Sequence, residues 1–154
     1  MRLAVELLSD LLRYQLYDIN TKVTIEEEID YLRTYIQFQR LRMTKRLQFE
    51  ESFDPELTGQ KIHPLLFLPL LENAFKYIGG AYRIQVSMRK EGAKVCLGVS
   101  NTFNPDFLEQ RKGKGIGIDN LRKRLELLYP DKHELRIKKD NTRFRVELCI
   151  DLSE

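Results

Sequence analysis

The stretch Tyr82-Arg-Ile-Gln-Val-Ser-Met-Arg-Lys-Glu-Gly-Ala-Lys-Val-Cys-Leu-Gly-Val-Ser100 alternates apolar and polar residues on both sides of a short turn, Lys90-Glu-Gly-Ala93. Alternation means one buried and one wet face, and a tight glycine-containing turn joins strands that run antiparallel. The pattern therefore predicts a hairpin, which no doubly wound parallel sheet would begin with. Towards the C-terminus, a polar segment from Asn101 to Gly115 leads into a helix over about 116–129, and a second strand pair follows, Glu134 to Lys138 and Arg143 to Leu152. Towards the N-terminus, Pro64 opens a helical segment that reaches Tyr77 and stops at Gly79-Gly80, with Pro69 marking 65–68 as a possible separate turn. A strand around Leu47, Phe49 and Phe53 precedes it. Strands outnumber crossover helices, so the expected class is α+β, with a mixed, mostly antiparallel sheet carrying its helices on one face.

Two helices come first. Leu3, Leu7, Leu8, Leu11, Leu12 and Leu16 recur at helical spacing over residues 3–17, a stripe that calls for a partner. Thr24-x-x-Glu27 is a capping box that starts a second helix, whose apolar face is Ile25, Ile29, Leu32 and Ile36. Its acids crowd the first turn and its bases, Arg40, Arg42, Lys45 and Arg46, the other end, as the helix dipole favours.

At 154 residues the chain can bury roughly 68–70% of its unfolded surface, enough for one core with a helical appendage. The 26 Lys and Arg exceed the 23 Asp and Glu by only three, too little to point to nucleic acid, and no aromatics interleave the basic residues of 102–124 as stacking platforms. The apolar run Pro64–Leu71 is far below the ~20 residues that cross a bilayer, and no basic-then-apolar leader precedes residue 30. The chain is thus expected to be neither secreted nor membrane-spanning. Cys96 and Cys149 stand in apolar alternating stretches and are expected as buried, reduced thiols.

Two constellations carry chemistry. Gly113-Lys-Gly-Ile-Gly117 leads into a helix, where bare backbone N–H groups and the helix terminus favour an anion. Leu71-Glu-Asn-Ala-Phe-Lys-Tyr77 places a carboxylate, a carboxamide and an ammonium within about a turn, a set that suits Mg²⁺ with its phosphates. Taken together, in this order and some forty residues apart, they match a known pattern.

Leu70-x-Glu-Asn-Ala-x-Lys-Tyr77 resembles the N box, and Gly113-x-Gly-Ile-Gly-Ile-Asp-Asn-Leu-Arg-Lys-Arg-Leu125 the glycine box, of the ATP-binding domain of sensor histidine kinases. Leu8-Ser-Asp-Leu-Leu-Arg-Tyr14, Glu28-x-x-Tyr-Leu-x-x-Tyr-Ile36, Pro64-x-x-Phe-Leu-Pro-Leu-Leu-Glu-Asn73 and Asn120-Leu-Arg-Lys-Arg-Leu-Glu-Leu-Leu-Tyr129 resemble the LytS-like class of these kinases. The resemblance implies a Bergerat-type (GHKL) α/β sandwich over 46–154, preceded over 1–45 by the end of a dimerisation region and its linker. It implies ATP and Mg²⁺ as ligands. Asn73 would ligate the metal, and Glu72, as the catalytic residue, would polarise the metal-bound water or phosphate. Lys76 and Tyr77 would contact the nucleotide, Gly113, Gly115 and Gly117 would form the phosphate loop, and Thr102–Lys114 the lid. Between Thr102 and Arg124, six bases against three acids fit a triphosphate.

This chain departs from the family in two places. Asn101 stands where the family's adenine-binding Asp is expected, without the glycines that follow it, and no Pro-His-Phe phosphoacceptor motif precedes Leu8. Asn101 is nevertheless expected to meet the adenine amino group. Of the two histidines, His63 precedes a proline and His133 has only Glu134 as an adjacent acid, which a strand would turn to the other face. Neither is expected to accept phosphate. The implied function is ATP-dependent transfer to a histidine elsewhere, by a cytoplasmic part of a membrane-anchored kinase that dimerises through its first helices and serves a response regulator. A nucleotide-binding but inactive interaction module is the alternative.

Overall fold

The computed structural model describes residues 4–16, 21–43, 46–105 and 116–153. The chain runs α1 (Ala4–Gln15), β1 (Val23–Thr24), α2 (Ile25–Arg42), β2 (Gln48–Phe53), β3 (Lys61–Ile62), α3 (Leu68–Tyr77), β4 (Arg83–Glu91), β5 (Lys94–Thr102), α4 (Ile116–Leu128), β6 (His133–Lys139) and β7 (Arg143–Asp151). Five strands form one sheet in the order β2-β4-β5-β7-β6. Only β2 and β4 are parallel, and the predicted hairpin is there in register, with Val86 opposite Val99 and Met88 opposite Leu97. The mixed, mostly antiparallel α+β sheet is the expected one.

Register explains the core. Val86 and Met88 of β4 stand opposite Val99 and Leu97 of β5, and Val95, Leu97 and Val99 opposite Ile150, Leu148 and Val146 of β7; these eight and Ile84 of β4 are all buried. Against this face pack Leu70, Leu71 and Ala74 of α3, Leu121 and Leu125 of α4, and Ile25, Ile29, Leu32 and Ile36 of α2, in one continuous cluster. Each such aliphatic side chain contributes roughly 1.5–3 kcal/mol by leaving water. Phe75 of α3 holds the corner, edge-on to Tyr35 at 6.1 Å and stacked on Phe49 at 6.4 Å, while the Arg33 and Arg40 guanidinium groups lie over Phe53 and Phe49.

Thr24 caps α2 as predicted: its hydroxyl accepts from the Glu27 N–H at 3.2 Å, and the Glu27 carboxylate accepts from the Thr24 N–H. The β1–β3 pairing, Val23 opposite Ile62, is not foreshadowed, because two residues are too short to show an alternation. The leucine stripe of α1 divides. Leu7 and Leu11 are buried in the fold, while Leu8, Leu12 and Leu16 are exposed with Val5. Leu3 lies outside the described residues.

The expectation of two reduced thiols is corrected: Cys96 and Cys149 face each other across β5 and β7 and are joined by a disulfide. Their pairing follows from register, which neither strand reveals alone. Across this outer face Arg89 bridges Glu91 and Glu147, and Arg145 lies over Gly98, where a Cβ would stand 2.8 Å from its Nη2.

Beyond α3 the chain is stapled to the end of β5. The Gly79 N–H donates to the Thr102 carbonyl at 3.0 Å, and the Thr102 hydroxyl donates to the Gly79 carbonyl at 2.8 Å. Gly80 has φ +61°, and a Cβ there would lie 2.9 Å from the Phe103 carbonyl oxygen, a backbone atom that cannot step aside. Gly80→Ala should therefore cost about 2–3 kcal/mol, as strain in a left-handed residue plus that contact. Gly92 also has φ +61° but open space around it, so Gly92→Ala should cost clearly less. Equal shifts of the two urea midpoints would show that the contact is not tight.

Candidate functional site

Glu72, Asn73, Lys76 and Tyr77 project from one side of α3 because Glu72 and Lys76, and Asn73 and Tyr77, are four apart and Asn73 and Lys76 three apart, which makes them neighbours on the helix surface. They line a cavity of about 210 Å³ together with Pro69 and, from the first turn of α4, Gly117 and Ile118. The α4 N-terminus brings unsatisfied N–H groups and partial positive charge to this wall. Among the described residues nothing lies within 4 Å of the position a Cβ would take on Gly117, so a ligand has room beside them at that backbone.

Asn73 carries the site's clearest imbalance. Its Nδ2 is buried without a hydrogen-bond partner among the described residues. A buried amide nitrogen left unpaired costs about 1–3 kcal/mol, so this carboxamide is poised for a further polar partner. Beside it, Glu72 remains in contact with water, yet partial burial pushes its carboxyl above the ordinary carboxylate value. Its field reaches α2: burial and then the Glu72 charge raise the Tyr35 phenol, and Tyr31 feels the same charge. The Lys76 ammonium lies 5.5 Å from the Tyr77 ring centre.

Asn101 is buried, only 1% exposed, and its Nδ2 donates to the Thr102 carbonyl at 3.1 Å. It does not line the 210 Å³ cavity. Gly113, Gly115 and residues 106–114 of the expected lid lie outside the described residues. A larger cleft of about 530 Å³ runs between α1 and α2, but Asp10, Glu27 and Asp30 line it, and carboxylates repel a triphosphate.

Among the described residues no cluster of three His, Cys, Asp or Glu could hold a metal unaided. The donors that do fit are the Asn73 carboxamide and the Glu72 carboxylate, oxygen ligands of the kind Mg²⁺ shares with phosphates and water.

Sequence reasoning missed Glu28, which is wholly buried, and the contacts of both histidines. Glu28 was counted with the acids of the first turn, although its spacing from Ile25, Leu32 and Ile36 places it on their apolar face. His63 Nδ1 lies 3.1 Å from the Tyr129 hydroxyl, and burial lowers its pKa. His133 does meet an acid, Glu126, 3.4 Å from its Nε2, while its Nδ1 lies 2.7 Å from the Tyr129 carbonyl. That carboxylate comes from α4, out of reach of any reading of immediate neighbours.

Residues 1–47 match the family described as histidine kinase. Sensor histidine kinase YesM of Bacillus subtilis is 33% identical over 144 residues, covering 89% of this chain and 25% of that protein. Sensor histidine kinase BtsS of Escherichia coli is 26% identical over 137 residues, covering 86% of this chain and 24% of that protein. The chain thus spans about a quarter of the length of these relatives. Among solved structures, the catalytic domain of histidine kinase ThkA matches with a TM-score of 0.58 at 17% identity, over 86% of this chain and 96% of that one. Full-length ShkA in complex with AMPPNP matches with a TM-score of 0.62 at 14% identity, over 86% of this chain and 31% of that one. At such identities the likeness is one of fold.

Proposed function

The chain belongs to the sensor histidine kinases, and from that membership we propose that it is the ATP-binding catalytic part, which moves the ATP γ-phosphoryl group to a histidine outside this chain. The observation that carries the reading is Asn73, whose buried Nδ2 has no partner among the described residues, lining a cavity between the polar side of α3 and the N-terminus of α4. Phosphoryl transfer needs mainly positioning and charge neutralisation, and these residues provide both. Asn73 would hold Mg²⁺, which when bound neutralises the phosphates. Glu72 would help polarise the metal-bound water or phosphate. Lys76 and Tyr77 would hold the nucleotide from the open side, and the Gly113, Gly115 and Gly117 backbone would receive the phosphates. We assign residues 1–45 to the helical dimerisation and linker segment and 46–154 to the ATP-binding domain. The exposed Val5, Leu8, Leu12 and Leu16 support pairing with a second copy, and the family supports a response regulator as the further partner. Among the described residues no helix is long and apolar enough to cross a membrane, in keeping with a cytoplasmic part of a membrane-anchored protein.

Thermal unfolding with a non-hydrolysable ATP analogue tests the reading. At a hundredfold excess over Kd, ligand should add about 2.7 kcal/mol of stability with Mg²⁺ and much less with chelator. No shift in either condition would dismiss it.

Asn101 is the proposed base contact. With Nδ2 given to the Thr102 carbonyl, the remaining polar atom of its carboxamide is an acceptor, the polarity an adenine amino group requires. Asn101→Asp would set a charged oxygen against that carbonyl in a buried place and replace a neutral acceptor by an ionised one. The empty variant should melt lower than wild type, and its nucleotide affinity should rise about threefold to thirtyfold, the gap between neutral and charged hydrogen bonds. Unchanged or weaker affinity by calorimetry would remove Asn101 from the base site.

A further inference from the structure

Glu28 is 0% exposed, and a carboxylate so placed is costly unless it is held. Its Oε1 accepts two hydrogen bonds, from the Tyr14 hydroxyl of α1 at 2.7 Å and from the Leu65 backbone N–H at 2.9 Å. Its Oε2 has no partner among the described residues. Burial raises its pKa, against the pull of those two donors and of the Arg124 charge.

Leu65 is the point of leverage. It has φ +65°, a left-handed conformation that costs a leucine free energy and persists only where the surroundings impose it. Two groups impose it here. Glu28 takes its N–H, and Arg124 of α4 donates from Nη2 to the Pro64 carbonyl at 3.1 Å and from Nη1 to the Leu65 carbonyl at 3.4 Å. Three residues later α3 begins, carrying Glu72 and Asn73, and the cavity lies between α3 and the start of the same α4 that supplies Arg124. Hydrogen bonds from Glu28 of α2 and Arg124 of α4 therefore converge on the turn that seats α3, and Tyr14 of α1 holds the Glu28 carboxylate that makes the first of them.

A second contact runs beside the first. The Tyr14 ring stacks on Tyr31 at 4.5 Å, and Gln15 donates to the Tyr31 hydroxyl at 2.8 Å. Tyr31 lies within the field of Glu72. Lifting α1 from α2 would remove the Tyr14 and Gln15 donors together, leaving Glu28 underpaired and the strained turn less firmly held.

We propose that Glu28 is a positioning residue for the nucleotide cavity, coupling the docking of α1 on α2 to the seating of α3 through the Pro64–Leu65 turn. The proposal rests on the reading of the α3–α4 cavity as the nucleotide site. The coupling is reciprocal, so a nucleotide that tightens the cavity also tightens α1.

Tyr14→Phe is the discriminating variant, since it removes one hydroxyl and keeps the stacked ring. Amide hydrogen exchange of residues 66–74 in the empty chain and calorimetry with Mg²⁺–AMPPNP provide two separate readouts. In Tyr14→Phe, α3 exchange should accelerate and affinity should fall about three- to tenfold, the worth of one such hydrogen bond. Glu28→Gln, which keeps an acceptor for both donors, should lose less than Glu28→Ala. Glu6→Ala, at an exposed position of α1, should change neither readout. Saturating AMPPNP should slow α1 exchange in wild type and fail to do so in Tyr14→Phe, a reciprocity that a merely structural role would not give. Unchanged α3 exchange and unchanged affinity in both Tyr14→Phe and Glu28→Gln would overturn the proposal. A wild-type chain that binds no nucleotide would overturn the cavity reading instead, and α3 exchange in the variants would still decide whether Glu28 seats α3.

Discussion

Asn73→Ala should abolish Mg²⁺-dependent ATP binding and leave the empty chain as stable as wild type or more so. The two halves of this expectation have one cause. In the empty chain the Asn73 Nδ2 is buried with no hydrogen-bond partner among the described residues, so deleting it removes a desolvation cost, and alanine is the better helix former within α3. In the bound chain the same amide would be a direct metal ligand. Changes to outer-shell groups commonly cost 10–100-fold in metal affinity, so loss of a ligand should cost about a hundredfold or more. Calorimetry with and without chelator, beside a urea unfolding curve, reads both. A variant that binds Mg²⁺–ATP as tightly as wild type would show that the metal is held elsewhere. One that loses binding together with its cooperative transition would show only that α3 depends on Asn73 for its packing.

The sheet was legible because its signals are long and redundant. β4 repeats its alternation over nine residues and Gly92 marks the turn after it, whereas β5, expected to keep one wet face, is buried from Val95 to Thr102, its outer side covered by the disulfide and by Arg145 over Gly98. Thr24 and Glu27 announce the start of α2 through side chains that bond to local backbone, so no distant contact is needed to read them. What stayed hidden depends on which segments meet. The β1–β3 tie offers two residues per strand, and the Cys96–Cys149 bond requires the β5–β7 register. The α1 stripe shows that a partner is needed, but not that α2 takes Leu7 and Leu11 while Leu8 and Leu12 stay exposed.

At the site, the α3 constellation could be read because all four polar residues lie on one helix and their spacing fixes their common face. Glu28 could not be read in the same way. Its carboxylate is satisfied by Tyr14, fourteen residues earlier, and by Leu65, thirty-seven later, so only the assembled fold separates it from its exposed neighbours Glu26 and Glu27. Its place on the apolar face of α2 was the one available sign.

Incubated with Mg²⁺ and γ-labelled ATP, the chain alone should acquire no acid-labile, base-stable label, an all-or-none result that geometry decides. His63 and His133 both contact Tyr129, which follows the C-terminal end of α4, whereas Gly117 and Ile118 line the cavity at the other end of that helix. The twelve steps from Gly117 to Tyr129, at 1.5 Å of rise each, put roughly 18 Å between the two ends of the helix, and in-line transfer needs reacting atoms about 3–3.5 Å apart. Neither ring is presented for attack. His133 has Glu126 at one nitrogen and the Tyr129 carbonyl at the other, and His63 leans on the Tyr129 hydroxyl. The carboxylate beside His133 could serve as a base for its proton, so proximity to an acid does not exclude it. Distance from the phosphates does. Mixing in a second polypeptide that presents the family's acceptor histidine should transfer label to that polypeptide, at a rate that Asn73→Ala abolishes. Label that instead stays on this chain and vanishes in His63→Ala or His133→Ala would mean that the acceptor end of α4 reaches a cavity, its own or a neighbour's, and would overturn the assignment of the acceptor to a histidine outside the chain.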